Sequence, residues 1–323
     1  MKISLKKSID LLRSENIVAV PTETVYGLAA RYDSEKAIRS IYETKNRPLD
    51  HPLIVHIATI DWFYHLAEDV KNYIPKLIEA FWPGPLTLVL KKKKCVNNLI
   101  TANQETVAIR MPDHALLLKV IKKLGTPIVA PSANVYCKTS PTTAAHVENN
   151  FSSAIPVLDG GPCKIGIEST IVLATNNSAL TILRPGIISA EQIQKVLRIP
   201  CHKNDISGVK SPGNKKVHYQ PWVPIIFFEN NKNLMLEYFE NVKKRYFIMC
   251  FNCLIVTSKN HYIIKMPDDP AAYSKSLYET WYSVSPAEFD CIIIELPPNE
   301  GPWQGIRDRI LKASSSGLEE MIC

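Results

Sequence analysis

The residues best able to do chemistry in this chain are cations and hydroxyls placed just after short apolar runs. Pro21-Thr22-Glu23-Thr24-Val25-Tyr26-Gly27 directly follows the apolar run 17–20. Its two threonine hydroxyls and its glycine suit a polar ligand, or equally a strand-to-helix turn. Lys45-Asn46-Arg47-Pro48 sets two cations before a rigid proline, an arrangement suited to a polyphosphate. The plainer alternative is that cations at a helix C-terminus favour its dipole. Arg110 closes the run TVAIR, where its planar fork suits a carboxylate or phosphate, or a structural salt bridge. Ser132 and Asn134 follow PIVAP, and Ser140-Pro141 marks a turn. Asp159-Gly160-Gly161 and Gly166 let backbone N–H groups approach an anion, and Arg184 supplies another cation after an apolar run. There is no P-loop, no GxGxxG, no HExxH and no Cys/His cluster, so neither a standard nucleotide fold nor a catalytic metal is indicated.

These residues need elements to hold them. The runs ending at Val20, and those at 53–57, 86–90, 106–110, 127–131, 155–159, 169–174 and 181–185, read as strands. Helices are expected from Asp33 as N-cap to about Lys45, after Asp113 until Gly125, and after Ser189, whose partner Gln192 completes a capping box. Some successive strands lack a helix between them, which predicts an α/β unit with a twisted mixed sheet and flanking helices over 1–201. The pattern breaks in the polar, basic, Gly- and Pro-interrupted segment 202–223, which reads as a linker. A second, smaller Rossmann-like α/β unit is expected over 224–323, with strands at PIIFFE, RYFIMCFNCLIV and CIIIEL, and helices at LMLEYFENVKK and DPAAYSKSLYETWYSV.

Composition narrows the class. The formal charge of +7 fits an anionic partner but is too common to carry weight. No run of about 18 apolar residues predicts a membrane helix. The first sixteen residues read as an amphipathic helix rather than a leader. Scattered cysteines fit a reducing cytosol. The CxxC pair Cys250 and Cys253 lies in an apolar run and reads as strand cysteines, with a redox or metal role as the alternative. Lys91 to Lys94 reads as a solvated turn, with an RNA-contacting patch as the alternative.

Taken in order, PTETVYGLAA, KNRP, HPLIVHI, FWPGPLTLVL, TVAIRMP, PIVAPSAN, IESTIV and ILRPG resemble the threonylcarbamoyl-AMP synthase family and its YrdC-type catalytic domain. Ser211-Pro212-Gly213 and Val217-His218-Tyr219-Gln220-Pro221 resemble the linker of the two-domain form, and the tail is similar to its accessory domain. The resemblance implies synthesis of threonylcarbamoyl-AMP from L-threonine, bicarbonate and ATP, with Mg²⁺ on the nucleotide. It further implies a cytoplasmic enzyme that hands its product to a tRNA threonylcarbamoyl-transfer complex, with weak tRNA contact. Carried over by motif, Thr24, His56, Arg110 and Ser169 would bind threonine. Lys45, Arg47, Thr106, Ser132, Ser140 and Arg184 would bind ATP, Lys45 and Arg47 carrying much of the catalysis, and Tyr219 would close over the nucleotide. Arg110 is expected to hold the threonine carboxylate in a bidentate pair. The reaction needs no side-chain nucleophile, so catalysis should be positioning and electrostatics. His51 stands where the family commonly has asparagine, and Tyr136-Cys137 where it has a small Ser-Gly pair. An RNA-binding module without chemistry is the rival reading, but the cations are dispersed at strand ends rather than interleaved with aromatics. A carbamoyl-transfer maturation factor is a second rival, though its zinc-finger and acylphosphatase segments are not visible.

Overall fold

The centre of the molecule is the strand Thr106–Arg110, five residues with a buried stretch from Val107 to Arg110. It pairs in parallel with Ile54–His56 and antiparallel with Leu86–Lys91. The computed structural model describes residues 1–176, 178–203, 208–213, 217–229, 244–251 and 261–317.

From one edge, the first sheet runs through the strands Lys2–Ile3, Val157–Leu158, Val18–Val20, Gly27–Arg31, Ile128–Val129, Ile54–His56, Thr106–Arg110, Leu86–Lys91, Thr170–Leu173, Leu180–Arg184 and Cys201–Lys203. Parallel and antiparallel neighbours alternate irregularly, so the sheet is mixed, as the strand spacing predicted. PTETVYG is not a strand-to-helix turn. It joins two antiparallel strands, with Val20 opposite Gly27. The register also sets His56 beside Arg110 on adjacent strands.

The helix Glu35–Lys45 shows how local sequence aims the site. Ser34, not Asp33, is its N-cap, accepting a bond from the Ala37 amide. Asp33 is instead held by Arg31 at 2.7 Å. The helix buries Ala37, Ile38, Ile41 and Tyr42, and its periodicity carries Lys45 onto that same face. Asn46 ends it in the left-handed region (φ 51°) and the Arg47 amide bonds back to the Tyr42 carbonyl at 2.9 Å. That turn aims Lys45 and Arg47 inward. The helix Ala115–Leu124 starts after His114 without a side-chain cap, so Asp113 does not cap it, while Gly125 ends it as expected. The Ser189–Gln192 capping box is present.

The second sheet has the strands His261–Lys265, Tyr246–Cys250, Cys291–Glu295, Ile225–Phe228 and Ser316–Gly317, all parallel. The helices Pro270–Ser283 and Trp303–Ala313 bury one face each beside it. Val25 and Ile167 of the first unit share a hydrophobic cluster with Tyr219 and with the second unit's Tyr278, Trp281 and Ile306. The expected helix LMLEYFENVKK and Cys253 fall outside the described residues, except for its last residue. Cys250 is a buried strand residue.

Candidate active site

One cleft, with about 590 Å³ of empty space including its solvent-filled mouth, opens where the strands Gly27–Arg31, Ile54–His56 and Thr106–Arg110 approach the linker. Thr24, Arg47, His56, Arg110, Ser132, Arg184 and Tyr219 line it, all expected from the sequence. Pro212, Gly213 and His218 of the linker line it too.

At one end sits Arg110. Its Nε donates to the Gly84 carbonyl at 3.2 Å, and its Nη2 donates to Thr24 Oγ1 at 3.0 Å. The segment 81–85 thus orients a cleft residue through one carbonyl. The same Nη2 lies 2.6 Å from Glu23 Oε1, with both side chains almost fully buried. Arg110 is therefore already half committed, and only Nη1 has no partner among the described residues. The expected bidentate grip on a carboxylate needs two parallel N–H groups, and Nη2 already faces Glu23 as an ion pair, although neither Glu23 oxygen accepts a hydrogen bond among the described residues.

His56 stands beside Arg110. Its Nδ1 lies 3.1 Å from the Ile54 carbonyl, so the neutral ring donates there and leaves Nε2 as an acceptor. Burial first, then the Arg110 charge, push its pKa down to about 3. The imidazole is thus neutral at physiological pH, able to accept an N–H or O–H without adding charge.

At the other end the cations are unbalanced. Arg47 donates from Nη2 to the Pro52 carbonyl at 2.8 Å, and its guanidinium lies 5.7 Å from the Tyr136 ring centre. Arg184 bonds Ser169 twice at 3.1 Å, to its carbonyl from Nε and to its hydroxyl from Nη2. Burial lowers the pKa of both guanidiniums, though arginine stays protonated. Among the described residues neither pairs with a carboxylate. Two buried cations facing one cavity, neither in a salt bridge among the described residues, are costly unless an anion completes them.

Four expected residues sit differently. Lys45 is fully buried behind the lining and donates to the Ser132 carbonyl at 2.6 Å and the Asn134 carbonyl at 2.5 Å. Burial, then Arg47, push its pKa well below the usual lysine value. It clamps the turn that presents Ser132. Ser140 donates to Glu168 Oε1 at 2.5 Å rather than opening onto the cleft. Thr106 begins the strand that Arg110 ends, roughly 13 Å away at strand rise. It pairs with Lys91 and is not part of the lining. Ser169 acts through Arg184 and through Thr87, whose hydroxyl is 2.8 Å from its own.

The departures interlock. Tyr136 OH lies 3.0 Å from His51 Nε2, and the Tyr136 ring meets His218 edge-on at 6.0 Å. His218 in turn lies 4.1 Å from the Tyr219 ring. Sequence reasoning missed Glu23 and Glu168, each written inside a quoted motif beside a residue that was singled out. It also missed Arg309 and Tyr278, whose roles no local pattern reveals.

The linker contributes unsatisfied groups. Among the described residues, Tyr219 OH, Ser211 Oγ and His218 Nδ1 are buried without hydrogen-bond partners. Tyr219 itself has φ +66°, a left-handed conformation that a bulky side chain adopts only under constraint. Its hydroxyl would lie 2.2 Å from a Cβ at position 213, so only glycine fits there.

Comparison with known proteins decides the family. A family model described as "Telomere recombination" (Sua5, YciO and YrdC) matches residues 10–186, and one described as "Threonylcarbamoyl-AMP synthase, C-terminal domain" matches residues 188–315. The chain belongs to the threonylcarbamoyl-AMP synthase family. It is 39% identical over 320 residues to the threonylcarbamoyl-AMP synthase of Bacillus subtilis, covering 94% of this chain and 91% of that one. It is 35% identical to that of Pyrococcus abyssi, covering 94% and 92%. The crystal structure of P. abyssi Sua5 complexed with L-threonine superposes with a TM-score of 0.87 at 32% identity, covering 97% of this chain and 96% of that one. The two-sheet architecture of this family member is therefore that of a solved relative along nearly its whole length.

Proposed function

We propose that this protein condenses L-threonine, bicarbonate and ATP to threonylcarbamoyl-AMP, pyrophosphate and water. The observation that carries this reading is the pair Arg47 and Arg184, buried and in no salt bridge among the described residues, facing the same cleft as the Arg110–His56–Thr24 group. One end suits an amino acid and the other a polyphosphate.

In this reading the threonine carboxylate meets Arg110 Nη1 and Thr24 frames the amino acid, while Ser169 contributes from behind by holding Arg184. His56 Nε2 accepts a hydrogen bond from its amine or hydroxyl. The neutral amine combines with bicarbonate, forming an N–C bond and releasing water. A carbamate oxygen then attacks the α-phosphorus, and the bond to the bridging oxygen breaks to release pyrophosphate. Charge builds on phosphate oxygens, where Arg47 and Arg184 are aimed. Lys45 and Ser140 act from behind, by holding the Ser132 turn and Glu168. Contact with Thr106 requires a nucleotide that reaches beyond the cleft lining. Magnesium enters on the phosphates. Among the described residues no three His, Cys, Asp or Glu converge to hold a metal, which suits an ion kept largely by substrate and water.

Residues 1–201 are assigned the chemistry, 202–223 a lid, and 224–323 an accessory role. The unsatisfied Tyr219, Ser211 and His218 atoms support a lid that gains partners when substrate or product is present, protecting a labile anhydride from water. The product is an activated carbamoyl group, suited to transfer onto a tRNA adenosine beside the anticodon by a partner complex, with weak tRNA contact by this chain. Among the described residues no helix is long and apolar enough to cross a membrane, and we assign the enzyme to the cytoplasm. Pyrophosphate release by the purified chain tests the reading. Release that requires both threonine and bicarbonate is expected; release independent of threonine, or none, contradicts it.

A further inference from the structure

The buried carboxylate of Glu168 lines the cleft, yet the proposed reaction gives it no role. Its partners come from both halves of the molecule. Arg309, on the helix Trp303–Ala313, donates from Nε to Oε2 at 2.6 Å. Tyr278, on the helix Pro270–Ser283, donates to the same oxygen at 3.2 Å. Ser140 of the first unit donates to Oε1 at 2.5 Å.

Arg309 is fully buried and fully used. Its Nη1 donates to the Pro185 carbonyl at 2.9 Å and lies 2.7 Å from Asp308 Oδ2. Its guanidinium carbon sits 5.0 Å from the Tyr219 ring centre. The second unit is pressed tightly here: a Cβ at Gly166 would lie 2.3 Å from the Ser274 carbonyl oxygen.

The arrangement matters because of Arg184. Ser169, the residue next to Glu168, holds Arg184 through two hydrogen bonds. Glu168 and Arg184 attract one another, although no salt bridge joins them among the described residues. Burial would raise the Glu168 pKa, but the Arg309 and Arg184 charges with the Ser140 hydroxyl bring it down to about 2. An ionised buried carboxylate takes the best cation within reach. With Arg309 present, that cation is Arg309, and Arg184 keeps an open charge toward the cleft. Without Arg309, the other buried guanidinium whose charge acts on Glu168 is Arg184 itself.

We propose that Arg309 is a positioning residue for the nucleotide: by occupying Glu168 it keeps Arg184 free for phosphate, so the C-terminal unit completes the ATP end of the site. This rests on the assignment of Arg184 to ATP. A structural tie between the two units would also use Arg309, but it makes a different prediction for a double variant. Removing both partners of a buried pair is better tolerated than removing one. It also removes the carboxylate that would capture Arg184.

The test uses the full chain and three variants: Arg309→Met, Arg309→Lys, and Arg309→Met combined with Glu168→Gln. Apparent KM for ATP and for threonine is read from pyrophosphate release, with nucleotide binding measured separately by titration calorimetry. Arg309→Met is expected to raise the ATP KM about tenfold or more and to leave the threonine KM within about threefold. Arg309→Lys should lie close to the starting protein. The double variant should recover most of the ATP affinity. If Arg309→Met fails to fold, the double variant alone decides: ATP affinity near the starting value supports the proposal. A double variant as weak for ATP as Arg309→Met, or a loss shared equally by both substrates, overturns it. If the starting protein releases no threonine-dependent pyrophosphate but still binds ATP, the functional reading fails while calorimetry continues to test this inference.

Discussion

Arg110 Nη2 lies 2.6 Å from Glu23 Oε1, inside a site expected to receive a second carboxylate. The pair holds the arginine still, but it also divides its donors. Arg110→Ala should then do two things. It should abolish measurable threonine binding, and it should destabilise the fold by about 3–5 kcal/mol, because a buried carboxylate is left unpaired. Adding Glu23→Gln should restore much of the melting temperature without restoring threonine binding. Calorimetric titration with threonine and thermal denaturation separate the two effects; a double variant that regains threonine affinity would remove Arg110 from the binding role.

Lys45 and Arg47 are neighbours in sequence with different positions. Lys45→Ala leaves the Ser132 and Asn134 carbonyls without their donor, each worth about 1–3 kcal/mol when buried and unsatisfied. Arg47→Ala removes a cation that faces the cleft. We expect Lys45→Ala to lower both stability and turnover, and Arg47→Ala to weaken ATP with a smaller change in melting temperature. Denaturant unfolding beside ATP titration checks this. Equal effects of the two variants on both readouts would contradict the division.

Acid should unfold this protein partly through its histidines. His56 and His218 are pushed down to about 3 and His146 to about 4, in each case chiefly by burial. The unfolded chain takes up these protons near pH 6.5, and the folded chain only near 3 to 4. Stability from them is therefore full above about pH 6.5 and is lost as pH falls toward those values. His56→Gln should reduce proton uptake on unfolding at pH 5 by about one. An unchanged uptake would mean that His56 is protonated in the folded state.

Tyr219 tests the lid. Its ring is packed against His218 and Arg309, so Tyr219→Ala should cost stability as well as function. Tyr219→Phe is the cleaner variant, because it removes only a hydroxyl that has no hydrogen-bond partner among the described residues. It should leave the melting temperature almost unchanged while shortening the lifetime of bound adenylate. Product retention, followed by filter separation of radiolabelled adenylate, reads this directly; a Phe variant that retains product as long as the starting protein would detach the hydroxyl from the lid's action.

Much of this was legible before the structure. Strand Thr106–Arg110 and the C-terminal end of the helix Glu35–Lys45 were legible over a few residues, while its N-cap is Ser34 rather than the expected Asp33. The short helix Ile74–Phe81 was missed although it carries a helical period: Ile74 and Leu77 are buried, and Ile78 and Phe81 pack against the same core. The residues that line the cleft were visible as polar groups at strand ends. What they bond to was not. Glu23 meets Arg110 across 87 positions of chain and Arg309 meets Glu168 across 141, and no local pattern encodes such pairings. The same limit explains Lys45, whose charge suggested phosphate while its burial assigns it to carbonyls.

The account stands on the identity of the product. The full chain, incubated with ATP, L-threonine and ¹³C-labelled bicarbonate, should yield a species whose mass holds one threonine, one labelled carbonyl carbon and one AMP, together with pyrophosphate. An adenylate that lacks the labelled carbon, or labelled carbon found without AMP, would contradict it.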